Sequence, residues 1–354
     1  MGKASLASNR GRGNCIAMFV PINFDKHLWK KPLGAENLLR AEDSLSSRLH
    51  LMDSRKNNDE SYPPIERLEL LFRRPPELTA LPASMNLLSR QAEAGADPSQ
   101  LEMIIASDPG LAARFLKLNG EFDAHTARRS LDVGHSIRAR GHQAIKSFVS
   151  ASVIGGFVGE KANAAELEPF RFARHCLFVG AFCARYAETF PSEAFTPAEA
   201  LTVGVLHDVG LLILAATAPL ALSHVCDFSK QCGVTFDVSF SCVYPRSLSS
   251  LASTSVEVWR LDDKLAQALT HFDGAEVDTS QELAYVSRLG DWLAGENGFA
   301  WETWSASAAL PPAVAAAYEE NRLTFDGLAR EAAMMANEGL IALAKGRSSY
   351  QNAA

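Results

Sequence analysis

The chain has 354 residues, 47% of them hydrophobic, which is enough to bury a substantial core and allows two or three domains by length. Charged residues make up 21%, with 34 Lys and Arg against 41 Asp and Glu, and the formal net charge of -7 argues against a protein that coats nucleic acid through general basicity. Apolar runs such as Leu211 to Ala216 and Ala313 to Ala317 fall short of the roughly 18 to 20 residues of a membrane-spanning helix, so no membrane span is expected.

At the start of the chain, Lys3, Arg10 and Arg12 precede the apolar run Cys15 to Val20, a loose imitation of a signal peptide. Pro21 cuts that run short and no small-residue cleavage site follows, so a cytoplasmic protein is expected. Residues 1–75 are rich in polar and charged runs such as Asp53 to Glu60, and read as an N-terminal extension, partly disordered. From Met1 to Lys31 the only acid is Asp25. This basic arm could touch an acidic partner such as nucleic acid, although a solvated tail is the plainer reading. Six scattered cysteines with no C-x-x-C pair fit neither a zinc ribbon nor a disulfide scaffold, and most of them read as small buried hydrophobes.

From Pro75-Pro76 onward the signals are helical. Met85, Leu88 and Ala92 recur at helical spacing, and Asp97-Pro98 and Asp108-Pro109 each place a capping carboxylate before a proline suited to the first helical position. His175, Val179, Phe182 and Tyr186 fall on one face of a helix over Phe170 to Phe190, which points His175 at the core. Thr196-Pro-Ala-Glu199 is a capping box opening an apolar helix that ends in His207-Asp208, with Gly210 expected as a left-handed cap. Val234 to Phe240 is the best strand candidate in a chain otherwise read as all-α. Further helices are expected over Asp263 to Phe272, ending near His271, over Gln281 to Ala294, which carries Asp291, and over Glu331 to Ala344.

His175, His207, Asp208 and Asp291 lie near the inner faces or ends of core helices, with His271 as a fifth candidate. Imidazole nitrogen and carboxylate oxygen suit one divalent metal such as iron, manganese, zinc or nickel, and a buried Asp208 needs a partner of some kind. A single His-Asp pair is common by chance in a chain of this length, so its context carries the weight. Hydrogen bonding of His207 and Asp208 to His175 or to backbone, with no metal, is the competing reading.

That context resembles a known family. The order His175, His207-Asp208, Asp291 is similar to the metal signature of the HD superfamily, and Gly204-Val-Leu-His-Asp-Val-Gly210 resembles its central motif. Leu81-Pro82, then Leu101 to Asn119 around Asp108-Pro109, Ser136 to Gly141 followed by the apolar segment Ile145 to Phe157, and Val258-Trp-Arg-Leu261 through His271 resemble blocks of the HDOD output domain. The resemblance runs from about Leu70 to Ala294. It implies a multi-helix HD-like bundle over residues 76–300, with 301–354 a C-terminal helical segment packing on it. It also implies a regulatory or output role in bacterial signal transduction, through a protein partner or a nucleotide second messenger.

The sibling HD-GYP phosphodiesterases are a weaker match. Leu211 stands where their lysine follows H-D-x-G, His271 is followed by Phe272 rather than a second histidine, and no Gly-Tyr-Pro follows. A one-metal phosphohydrolase is the alternative, with Asp208 as metal ligand or catalytic base and with Arg171 and Arg174 as phosphate contacts. Those two arginines could equally pair with Glu166 and Glu168 at the surface.

Overall fold

The computed structural model describes residues 63–76, 78, 80, 82–122, 131–138, 148, 167–274, 281–304, 307 and 309–351, all within the unit Asp53–Ala354. Among these residues there are helices and connecting turns and no strand. The basic arm Met1 to Lys31 lies outside the described residues, as does most of the segment Ile145 to Phe157. Its one described residue, Phe148, is buried edge-on against Phe115 at 5.1 Å.

The first helices are α1 (Ile65–Phe72), α2 (Pro82–Glu93), α3 (Pro98–Ala106) and α4 (Pro109–Phe122). The Asp-Pro pairs act as the sequence predicts. Asp97 Oδ1 accepts from the Ser99 backbone N–H at 2.9 Å, and Asp108 Oδ1 accepts from that of Leu111 at 3.0 Å, satisfying donors that no helical carbonyl can reach. Although α1 falls within the span read as the N-terminal extension, it packs on the body of the protein. Leu68 and Phe72 are fully buried, Ser255 Oγ donates to the Phe72 carbonyl at 2.6 Å, and Arg246 pairs with Glu69 at 3.0 Å.

The centre of the fold is α5 (Pro169–Thr189), buried on nearly every side, with Phe172, Phe178 and Phe182 all inside. Each fully buried Phe of this kind contributes about 1.5–3 kcal/mol of hydrophobic stabilisation. The Glu168 carboxylate caps α5 by accepting from the backbone N–H groups of Phe170 (3.0 Å) and Arg171 (2.7 Å). Against α5 pack α6 (Pro197–Leu206), α12 (Glu282–Glu296) and α14 (Arg322–Gln351). The first of these contacts is a crossing of glycines. A Cβ on Gly204 would stand 2.7 Å from Gly180 Cα and 2.8 Å from the Val179 carbonyl oxygen, so only hydrogen fits where the two backbones meet.

The capping box forms as expected at α6. Glu199 N–H donates to Thr196 Oγ1 at 3.2 Å, and Thr196 N–H donates to Glu199 Oε2 at 2.8 Å. Beyond His207-Asp208 the chain re-enters a helix at once, α7 (Val209–Thr217). The left-handed cap expected at Gly210 is therefore not there. Gly210 is an ordinary residue of α7, and its missing Cβ makes room for Leu248 and Ala252 of α10 (Leu248–Val258). Taken together, Pro197–Thr217 is long and apolar enough to cross a membrane by length and composition, which the short uninterrupted runs understated. Most of it is buried inside the protein as core.

The strand expected over Val234 to Phe240 is also corrected. After α8 (Pro219–Cys232), which ends at Gly233 with φ 65°, Thr235 Oγ1 caps α9 (Phe236–Val243). Phe236, Ser239, Phe240 and Val243 are buried at helical spacing, with the first and third rings stacked at 6.0 Å, so the aromatic spacing outweighs the β-propensity of the valines. The remaining helices are α11 (Asp263–His271) and α13 (Pro312–Glu320). At the C-terminal end, α14 lies along α5 and buries Phe325, Leu328, Ala329, Ala332 and Ala336.

Candidate metal centre

The crossing of α5 and α6 at Gly180 and Gly204 sets the site. His175 lies upstream of Gly180 on α5, and His207 follows α6 directly. Their rings come together inside the protein, each exposed by no more than 2%, with Nε2 facing Nε2 at 3.1 Å. Asp208 Oδ2 stands 3.4 Å from both Nε2 atoms. From α12, Asp291 Oδ1 reaches within 3.5 Å of His175 Nε2 and 4.0 Å of His207 Nε2.

The other ring nitrogens fix the tautomers. His175 Nδ1 lies 3.2 Å from the Phe299 carbonyl oxygen, and His207 Nδ1 lies 2.7 Å from that of Gly204. A carbonyl oxygen only accepts, so each Nδ1 carries a hydrogen, and an imidazole in its neutral form turns a lone pair into the centre. Two ring nitrogens and the Asp208 carboxylate thus converge with Asp291 beside them, an arrangement that a metal ion or a proton on an imidazole would satisfy. Burial works to lower the His207 pKa, but the Asp208 carboxylate outweighs it and pushes the imidazole up to about 9. Burial acts against the charge on Asp208 too, yet the imidazoles of His207 and His175 hold its carboxyl well below the usual range.

The donor set fits a divalent ion. Ligand atoms about 2.0–2.2 Å from a common ion lie roughly 3.0–3.5 Å from one another, and all of these separations except that of His207 from Asp291 fall in that interval. The backbone hydrogen bonds at both Nδ1 atoms are the outer-shell contacts that orient metal-binding histidines. Among the described residues, His175, His207 and Asp208 form the group whose ligand atoms lie within 4.8 Å of one another, and Asp291 stands at its edge.

The remaining candidates sit elsewhere. His271 is exposed at the end of α11, and its neighbour Phe272 is the residue that meets the cluster, its ring centroid 5.6 Å from that of His207. Arg171 is exposed at the start of α5. The Arg174 guanidinium lies 3.8 Å over the Phe299 ring, where Nη1 donates to the Gly298 carbonyl at 3.0 Å and Nε donates to Asn337 Oδ1 at 3.4 Å. It thereby braces the turn whose carbonyl orients His175. Glu168 is occupied with backbone N–H groups, and Glu166 lies outside the described residues.

A cavity of about 250 Å³ opens on His175, Asp208 and Asp291. Among the described residues its wall adds the carboxyl groups of Asp237, Glu296 and Glu302 and one arginine, Arg288. Burial, reinforced by Asp208 and Asp273, pushes the Asp237 carboxyl well above its ordinary value. Arg288 Nη1 donates to Asp291 Oδ2 at 2.8 Å, and its guanidinium lies 5.4 Å from the Phe272 ring centroid. Sequence reading missed Arg288, although its placement one turn before Asp291 on the same helical face is a legible signal. The Phe299 carbonyl has no signal of that kind.

The HDOD domain model matches residues 78–274. Among solved structures, the MmoQ response regulator of Methylococcus capsulatus is similar with a TM-score of 0.53 and 19% identity, over 76% of this chain and 98% of that one. A virulence factor from Campylobacter jejuni is similar with a TM-score of 0.55 and 16% identity, over 77% and 99% of the two chains. No curated protein matches.

Proposed function

The chain belongs to the HDOD domain family, and from that premise we propose that it is a regulatory output protein of bacterial signal transduction with one divalent-metal centre, acting in the cytoplasm by binding a protein partner or a nucleotide second messenger. The ligands are His175, His207 and Asp208, with Asp291 as the fourth from α12, and the ion is iron, manganese, zinc or nickel, the metals that suit mixed imidazole and carboxylate sites. Bound there, the ion supplies a Lewis acid and a tie between α5, the end of α6 and α12. The observation that carries the reading is the cavity wall. Among the described residues its carboxyl groups outnumber its one arginine, which is already engaged with Asp291, so beyond the ion itself the cavity offers little to the phosphates of a substrate. The same imbalance favours a protein partner over a nucleotide in this cavity.

The alternative is a one-metal phosphohydrolase, favoured by the inward-facing lone pairs of both histidines. It keeps Asp208 as ligand or base, whereas Arg171, Arg174 and His271, the further phosphate and metal candidates, do not line the cavity. Metal content measured by mass spectrometry, on wild type beside a His207→Ala, Asp208→Ala double variant, tests both readings. The expected result is near-stoichiometric metal in wild type, loss of metal in a folded variant, and no phosphate released from nucleotides or cyclic dinucleotides. Turnover that disappears in the variant would establish the hydrolase instead.

A further inference from the structure

We propose that Arg288 holds Asp291 as a one-oxygen ligand and thereby sets which divalent cation the centre prefers. The inference rests on the metal-centre reading above. Arg288 and Asp291 stand at positions i and i+3 of α12, and the guanidinium Nη1 donates to Asp291 Oδ2 at 2.8 Å. The other oxygen, Oδ1, is the one that faces His175 Nε2 and His207 Nε2. The carboxylate is therefore divided between an arginine and the centre, and turning Oδ2 inward would break a charge-assisted bond in a largely buried place.

The guanidinium is itself held, lying over Phe272, whose ring packs in turn against His207. Its Nε is buried with no hydrogen-bond partner. The pairing of Arg288 with Asp291 nonetheless offsets that cost, since removing only the cation would leave a largely buried carboxylate uncompensated.

Calcium takes six to eight oxygen ligands and commonly both oxygens of one carboxylate, whereas manganese and zinc are satisfied with fewer atoms and accept imidazole. Tying Oδ2 withholds an oxygen that calcium would use. Removing Arg288 would free that oxygen and would also delete a positive charge. The charge acts on every divalent cation about equally and cancels in a ratio of affinities, while the freed oxygen does not.

The test is calorimetric titration of the full chain with Mn2+ and with Ca2+, for wild type, Arg288→Met and Arg288→Lys. The Mn2+ to Ca2+ affinity ratio is expected to fall about tenfold or more in Arg288→Met, within the roughly 10- to 100-fold range of outer-shell changes. In Arg288→Lys it is expected to stay near wild type, because the ammonium can still donate to Oδ2. The metal-free Met variant is expected to unfold below the wild-type temperature, because Asp291 loses its buried partner. An unchanged ratio in a folded Met variant overturns the proposal and leaves the metal centre standing, whereas a wild type that binds neither ion defeats the metal centre itself. Should the Met variant not fold, a wild type that takes Ca2+ as readily as Mn2+ overturns the proposal directly.

Discussion

His175 and His207 present their Nε2 atoms to one another at 3.1 Å, each ring oriented by a backbone carbonyl at its Nδ1. A metal bound there needs both imidazoles neutral, so a proton competes with it for the same lone pairs. Titrations of the same protein with Mn2+ across a pH series should therefore show affinity falling as the pH is lowered; affinity independent of pH would remove the histidines from the ligand set. At this scale the residues that come together were legible, since His175, His207, Asp208 and Asp291 are named by order and motif alone. The carbonyl of Phe299 was not, because main-chain acceptors carry no residue identity. The brace that Arg174 forms on the 298–299 turn was hidden for a related reason, since it joins residues far apart in sequence.

Between elements, the distance from His175 to His207 is governed by how closely α5 and α6 approach. Gly204→Ala places a methyl against Gly180 Cα and the Val179 carbonyl, and backbone cannot yield as a flexible side chain can. The expected cost is about 1–3 kcal/mol by chemical denaturation, accompanied by weaker metal binding as the two rings separate. An alanine variant with wild-type stability would show that the crossing is looser than the geometry requires. The start of α6 gives a pH signature. Burial acts to raise the Glu199 pKa, but hydrogen bonds from Lys264 Nζ (2.9 Å) and the Thr196 N–H prevail and lower it. A carboxyl depressed in the folded state contributes stability that is present above its unfolded value, 4.5, and is lost as the pH falls through the folded one. Denaturation of Glu199→Gln should consequently give a flatter stability curve below that value than wild type gives. Helix starts were legible because caps and prolines are local chemistry. The two misread elements depended on their surroundings, as Gly210 answers to α10 and the Val234 to Phe240 segment to aromatic packing at helical spacing.

At the scale of the whole molecule, the family match ends at residue 274, but the centre does not. Asp291 and Arg288 come from α12, the Phe299 carbonyl from the turn after it, and Asn337, which accepts from Arg174, from α14. The C-terminal helices therefore complete the site and also cover α5, whose Phe182 and Tyr186 meet Phe325 at ring distances of 6.5 and 6.2 Å. Two truncations separate these contributions. A chain ending at residue 274 loses a carboxylate ligand, the acceptor that orients His175 and the cover of α5, and is expected to lack cooperative unfolding and metal. A chain ending at residue 321 keeps every proposed ligand and the Phe299 turn, but exposes the apolar side of α5 on which Phe325, Leu328 and Ala332 pack. Uncovering side chains of that size forfeits about 1.5–3 kcal/mol each, against the 5–15 kcal/mol by which a native domain is stable. The shorter deletion is thus expected to lower the melting temperature sharply and to recover part of it when metal is added, because a ligand that binds only the folded state stabilises it by mass action. If the 321-residue chain melts as wild type does, α14 is not part of the cooperative core; if added metal leaves its melting unchanged, the ligands upstream do not suffice to hold an ion.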